Sequence, residues 1–137
     1  MQKYPSNKII SDLQPWPFEG KASNYEITRG NPQASGRLDL GTNEGQHRVG
    51  IWSCTEGAFT CTELGDELQT VISGQLTITR DDGETIECGP GDSIFTRKGE
   101  RLTWDIKQTV TKVFFTYNSD ARSEGWSDAT VPQPEPR

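Results

Sequence analysis

From His47 to Tyr117 short runs with a period of two alternate with turn residues. "HRVGIWSC" and "GAFTCTEL" are separated by Thr55-Glu56, and "LQTVIS" and "QLTITR" flank Gly74. "ETIEC", "SIFTR", "RLTWDI" and "TKVFFTY" complete the series. A period of two puts successive side chains on opposite faces of a strand, and no helical stripe of useful length interrupts it. Many short strands at close, even spacing predict an all-β sandwich or barrel. Two turns follow from local chemistry. Asp82-Gly83 in "DDG" tolerates the positive φ of a type I′ hairpin. In "GPGD", Pro90 fixes φ at the second turn position and Gly91 is free to take a positive φ at the third, which predicts type II.

The 137 residues amount to one domain. Residues 1–28 read as an N-terminal arm punctuated by Pro5, Pro15 and Pro17, with Trp16 and Phe18 as its anchors. Such arms cover a sheet edge or swap onto a partner. Residues 29–118 form the predicted domain, with a short strand near Arg37–Leu40. Residues 119–137, "SDARSEGWSDATVPQPEPR", read as an irregular tail anchored by Trp126. A formal net charge of −6 argues against nucleic acid and against charge-driven binding to anionic membranes. The opening "MQKYPSNKIISDLQPW" has no apolar core of signal-peptide length, so a soluble cytoplasmic protein is expected. Three cysteines, an odd number in a reducing setting, are expected as free thiols.

Glu67, six residues and then Gly74 match the tail of the first cupin motif; Gly91, seven residues and then Gly99 match the frame of the second. Gly50 to Trp52, Gly57 to Phe59, Glu67, Gly91-Asp92, Trp104 and Lys112 extend the match. On these residues the stretch 29–117 resembles the small single-domain cupins related to the cupin domain of ureidoglycine aminohydrolase. The resemblance implies a jelly roll with a cavity between two sheets, and association into a homodimer. In metal-binding cupins two His and a Glu of the first motif and a His of the second hold Mn, Fe, Ni or Zn, for which imidazole and carboxylate are suitable ligands.

Those histidines are missing. The single histidine, His47, lies outside both motifs and is expected on an exposed strand position. By one cupin spacing Thr60 and Thr62 take the two His positions; by the ureidoglycine aminohydrolase spacing Cys61 and Glu63 do. A shift of one residue moves a side chain to the opposite face, so the choice stays open here. In the second motif the His position falls on Leu102 or Thr103, and Arg97 replaces the usual Pro. The expected state is therefore no resident metal; a divalent ion, if bound, would use Cys61, Glu63 and Glu67.

Glu67 heads an otherwise apolar, β-branched run, and a carboxylate facing a cavity is costly unless paired or solvated. Lys112, at the head of the apolar "KVFFTY", is its candidate partner. A Glu67–Lys112 pair would form the polar end of an apolar site and makes either residue a candidate acid or base. The predicted ligand-binding set is Glu67, Lys112, Trp104, Phe59 and Thr103. Trp104 shares its face with Leu102 and Ile106, so core packing and a ligand-stacking wall are both open to it. The function expected is binding of a small metabolite in the barrel without His-ligated metal. The alternative is a metal-dependent enzyme similar to ureidoglycine aminohydrolase, acting on a small nitrogenous or carboxylated metabolite.

Overall fold

The computed structural model describes residues 1–18, 24–43 and 45–118. The expected tail at 119–137, with Trp126, lies outside the described residues. Among the described residues nine strands form: β1 (Gln14–Pro15), β2 (Glu26–Gly30), β3 (Ala34–Gly41), β4 (His47–Cys54), β5 (Gly57–Thr62), β6 (Asp66–Arg80), β7 (Thr85–Cys88), β8 (Ser93–Thr96) and β9 (Arg101–Tyr117). Among the described residues there is no helix, and so none long and apolar enough to cross a membrane. The all-β reading holds, and the pairing gives a jelly roll.

Two long strands organise the fold. β6 and β9 run antiparallel from Asp66↔Tyr117 to Arg80↔Leu102, with register shifts between Val71 and Leu76. The sequence reads each as two short strands; each is one strand bent at its middle. Gly74 makes the bend: its φ is +90°, and a Cβ there would run into the Thr109 carbonyl oxygen. The bend splits the sheet into two leaves. The first is β1-β3-β4, the second half of β9, the first half of β6, and β8. The second is β2-β5, the first half of β9, the second half of β6, and β7.

The leaves close on one another through their inward side chains. Cys54, Val71, Ile94 and Val110 of the first leaf join Phe59, Leu76, Ile78, Leu102, Trp104 and Ile106 of the second in one buried cluster. At about 25 cal/mol per Å² of apolar surface removed from water, this cluster is the main source of stability. The cysteines Cys54, Cys61 and Cys88 are buried and free, as expected of reduced thiols.

The two turns split. At "GPGD" the Asp92 amide donates to the Gly89 carbonyl at 3.0 Å and Gly91 has φ +92°, as a type II turn requires. At "DDG" the expected type I′ turn does not form. Type I′ needs positive φ at both central residues, but among Asp81, Asp82 and Gly83 only Gly83 has one. The Gly83 amide instead bonds Arg80 carbonyl and the Arg80 amide bonds Glu84 carbonyl, a type I turn followed by a left-handed glycine.

The N-terminal arm wraps this body. Tyr4 Oη donates to Asp39 at 2.6 Å, Arg37 bridges to Asp12 at 2.7 Å, and the Trp16 amide donates to Ala34 carbonyl. Its last part is not an arm: Glu26–Gly30 is a strand paired along β5. His47 is exposed on β4, edge-on to Phe115.

Candidate functional site

A cavity of about 280 Å³ opens between the leaves. The arm supplies one wall. Trp16 lies over Gly36, where any Cβ would strike its indole ring, and meets Phe114 edge to face at 6.3 Å. Phe18 packs on Phe59, ring centroids 4.8 Å apart. Phe59 in turn stacks on Trp104, 6.3 Å apart and 10° from parallel. These are cross-strand neighbours on the inward face of the second leaf.

The first leaf supplies the polar floor. Registered across it are the inward rows Arg48–Thr116–Glu67–Thr96, Gly50–Phe114–Gln69–Ile94 and Trp52–Lys112–Val71. Glu67 and Lys112 stand two rows apart, and both side chains extend over Gln69 to meet. Lys112 Nζ donates to Glu67 Oε1 at 3.4 Å and to Gln69 Oε1. Gln69 Nε2 donates to Thr96 Oγ1 at 3.3 Å, which turns its carbonyl oxygen toward the ammonium. The Lys112 ammonium also lies 4.8 Å from the Trp52 ring centroid and 4.5 Å from that of Trp104. Both aromatic faces attract it. The side chains of Lys112 and Glu67 are only 7% and 15% exposed, so this is a buried ion pair with a third polar partner and two π faces.

Glu63 enters from the segment after β5, its backbone pinned by hydrogen bonds to Glu100 carbonyl and from the Gly99 amide. Burial pushes its carboxyl up to about 7, and the Glu67 carboxylate adds to that; Lys112, Trp104 and Cys61 pull the other way. Cys61 lies 3.8 Å from Glu63 Oε1, and burial pushes its thiol up to about 12. No acceptor lies within close hydrogen-bonding geometry of the buried Trp104 Nε1; at longer reach its N–H is the donor that favours the charged forms of Glu63 and Cys61.

The structure brings Glu67, Lys112, Trp104, Phe59, Cys61 and Glu63 to this cavity. The ambiguity at residues 60–63 resolves on parity: Cys61 and Glu63 face inward, Thr60 and Thr62 outward. Thr103 is a correction. It does not line the cavity but belongs to an outward threonine row, its Oγ1 3.1 Å from Thr60 Oγ1, because its neighbours Leu102 and Trp104 take the inward positions.

Comparison with known proteins places this fold in a family. Residues 41–114, more than half of the chain, match the EutQ-like cupin domain family. The chain is a EutQ-like cupin. No curated protein matches it. Its backbone is similar to the EutQ protein of Clostridium difficile (22% identity, TM-score 0.57, covering 69% of this chain and 82% of that one). It is also similar to a putative ethanolamine utilization protein Q of Salmonella typhimurium (21%, TM-score 0.55, covering 79% and 98%). A DUF861 protein of unknown function from Pseudomonas syringae superposes with TM-score 0.66 at 19% identity, covering 78% of this chain and 45% of that one.

The residues of this cupin do not fit a divalent metal. Among the described residues no group of three His, Cys, Asp or Glu is arranged to hold an ion. The donor chemistry agrees. Burial raises the Cys61 thiol to about 12, so an ion would have to displace its proton to gain a thiolate ligand. Glu67 is already committed to an ammonium. No imidazole lines the cavity.

Sequence reasoning missed Gln69, Trp52 and Arg48. Gln69 had a signal: it shares the parity of Glu67 in "ELQTVIS" and stands in an apolar run. Trp52 and Arg48 depend on the β4–β9 register, which no local pattern encodes.

Proposed function

We propose that this EutQ-like cupin binds a small organic metabolite in its barrel cavity, with the Lys112 ammonium standing where metal-binding cupins hold a cation. One observation carries the reading: Lys112 is buried at the floor of an aromatic-walled cavity, held by Glu67, Gln69 and two tryptophan faces. A cavity with apolar walls and a few convergent polar groups is how ligand sites are built. Its volume of about 280 Å³ suits a compact ligand. The test is a thermal-shift and ligand-observed NMR screen of small metabolites against wild type and Lys112→Met. Binders that wild type retains and Lys112→Met loses support the reading. A screen in which Lys112→Met binds the same compounds equally well removes Lys112 from the site.

A second reading is an enzyme of the ureidoglycine aminohydrolase kind, a hydrolase or lyase on a small nitrogenous or carboxylated metabolite. Glu63 favours it, since a carboxyl held at about 7 can give or take a proton at neutral pH. The metal such an enzyme uses lacks a fitting donor set here, so any catalysis would rest on Glu63 with Lys112.

Homodimerisation is likewise proposed. An outward row, Leu40–Val49–Phe115–Leu68–Phe95, runs in register across five strands, and its Leu and Phe members are about half exposed. A sedimentation mass equal to one chain at micromolar concentration would remove it.

A further inference from the structure

We propose that the Trp104 indole N–H and the Lys112 ammonium form one recognition point for an oxygen acceptor, so that the ligand is a small organic acid: a carboxylate on a short apolar or aromatic body. This rests on the reading of the cavity as a ligand site and adds the chemical class of the ligand.

Three observations converge. Among the described residues Trp104 Nε1 is the one buried side-chain nitrogen or oxygen with no partner, on a residue 3% exposed. Buried donors are nearly always bonded, so an orphan donor facing a cavity marks where an acceptor belongs. It faces the cavity because its neighbours there, Glu63 and Cys61, both line it. The Lys112 ammonium lies 4.5 Å from the centroid of the same indole ring, so both donors belong to one corner of the cavity. A carboxylate has two acceptor oxygens and gains from a charged donor.

The surroundings select the rest of the ligand. Trp52 and Trp104 could have caged an ammonium ligand, but their faces are already taken by Lys112. Trp16 and Phe18 of the arm and Phe114 of the first leaf also line the cavity, which suits an apolar body and offers nothing to sugar hydroxyls. The charged groups that line the cavity are the cations Lys112 and Arg48 and the carboxyls Glu63 and Glu67. Glu63, held by burial near neutrality of charge up to about 7, leaves the balance favourable to one anionic group.

The experiment is a titration of the uniformly ¹⁵N-labelled full chain, followed through the four tryptophan indole N–H resonances. Trp104→Phe identifies the resonance, with paramagnetic or nuclear Overhauser assignment as the route if that variant does not fold. The probes are butyrate and phenylacetate, their amides, and butylamine. The expected result is a Trp104 resonance at the upfield position of an unbonded indole. It moves downfield saturably with the carboxylates, about tenfold more weakly with the amides, and not with butylamine. Lys112→Met weakens the carboxylates by about tenfold or more. A Trp104 resonance already downfield in the free protein and unmoved by any carboxylate overturns the inference, with Glu63 as its partner. If metabolites from the screen bind but only amines or sugars move the resonance, the class is wrong and the ligand site stands. If nothing in the screen binds at all, the ligand site itself fails.

Discussion

The two leaves obey the same alternation, yet they use their inward positions differently. The second leaf fills them with Phe59, Leu76, Ile78, Leu102, Trp104 and Ile106, all at most 3% exposed. The first leaf places Arg48, Glu67, Gln69, Thr96, Lys112 and Thr116 in the equivalent rows. The second leaf's inner face is apolar across the cluster, and the first leaf sets a polar network beside its own core residues Cys54, Val71, Ile94 and Val110. Low local dielectric strengthens such a network when it is satisfied and penalises it when it is broken. The contrast predicts where mutations act: second-leaf changes cost stability, and floor changes cost stability less and binding more.

The largest expected effect lies on the second leaf. Phe59→Ala removes a ring packed on Phe18, Trp52 and Trp104 and should lower unfolding free energy by about 3–5 kcal/mol. Equilibrium denaturation measures it. A loss under about 1 kcal/mol would mean that the aromatic stack is not the core.

The next effect depends on pH. Glu63 is protonated in the folded protein up to about 7, whereas the unfolded carboxyl ionises near the ordinary glutamate value, about 4.3. Its favourable contribution is full below that value and is lost as pH rises to about 7. At 1.36 kcal/mol per unit, the loss is at most ~4 kcal/mol. Glu63→Gln should flatten that part of the stability–pH curve. An unchanged slope would place the titration elsewhere.

Glu67→Gln leaves the buried Lys112 ammonium with neutral partners only. It should cost about 1–3 kcal/mol, softened because Gln69 and the two indole faces remain. Pairing it with Lys112→Met should recover most of that loss, since removing both charges spares the unpaired one. Additive losses in the double variant would deny the pair. The smallest effect belongs to Thr103→Val. Its hydroxyl bonds Thr60 on the outer face, so stability should move by under about 1 kcal/mol and ligand binding not at all.

The fold was legible because its signals are local. Period-two runs, Gly74 and "GPGD" each act over a few residues. Where they misled, a longer range decided: β6 and β9 are single strands because Gly74 and the residues around Thr109 bend within a continuing ladder. At "DDG" the chain adopts a left-handed conformation at glycine alone, which a dipeptide rule does not separate from type I′. The site was legible in part. The motif acid singled out Glu67, and an isolated lysine heading an apolar strand singled out Lys112. Thr103 was misplaced, and Trp52 and Arg48 were missed, because facing is set by register between strands about sixty residues apart in sequence. Trp104's missing partner is visible only in three dimensions.

The measurement that bears most directly on Lys112 as the cation of this cavity is metal content per chain, on untagged protein purified without chelator and then exposed to Mn, Fe, Ni and Zn. The prediction is no stoichiometric metal in wild type before or after exposure. About one ion per chain, lost on substituting Cys61, Glu63 or Glu67, would contradict it and return the cavity to metal chemistry.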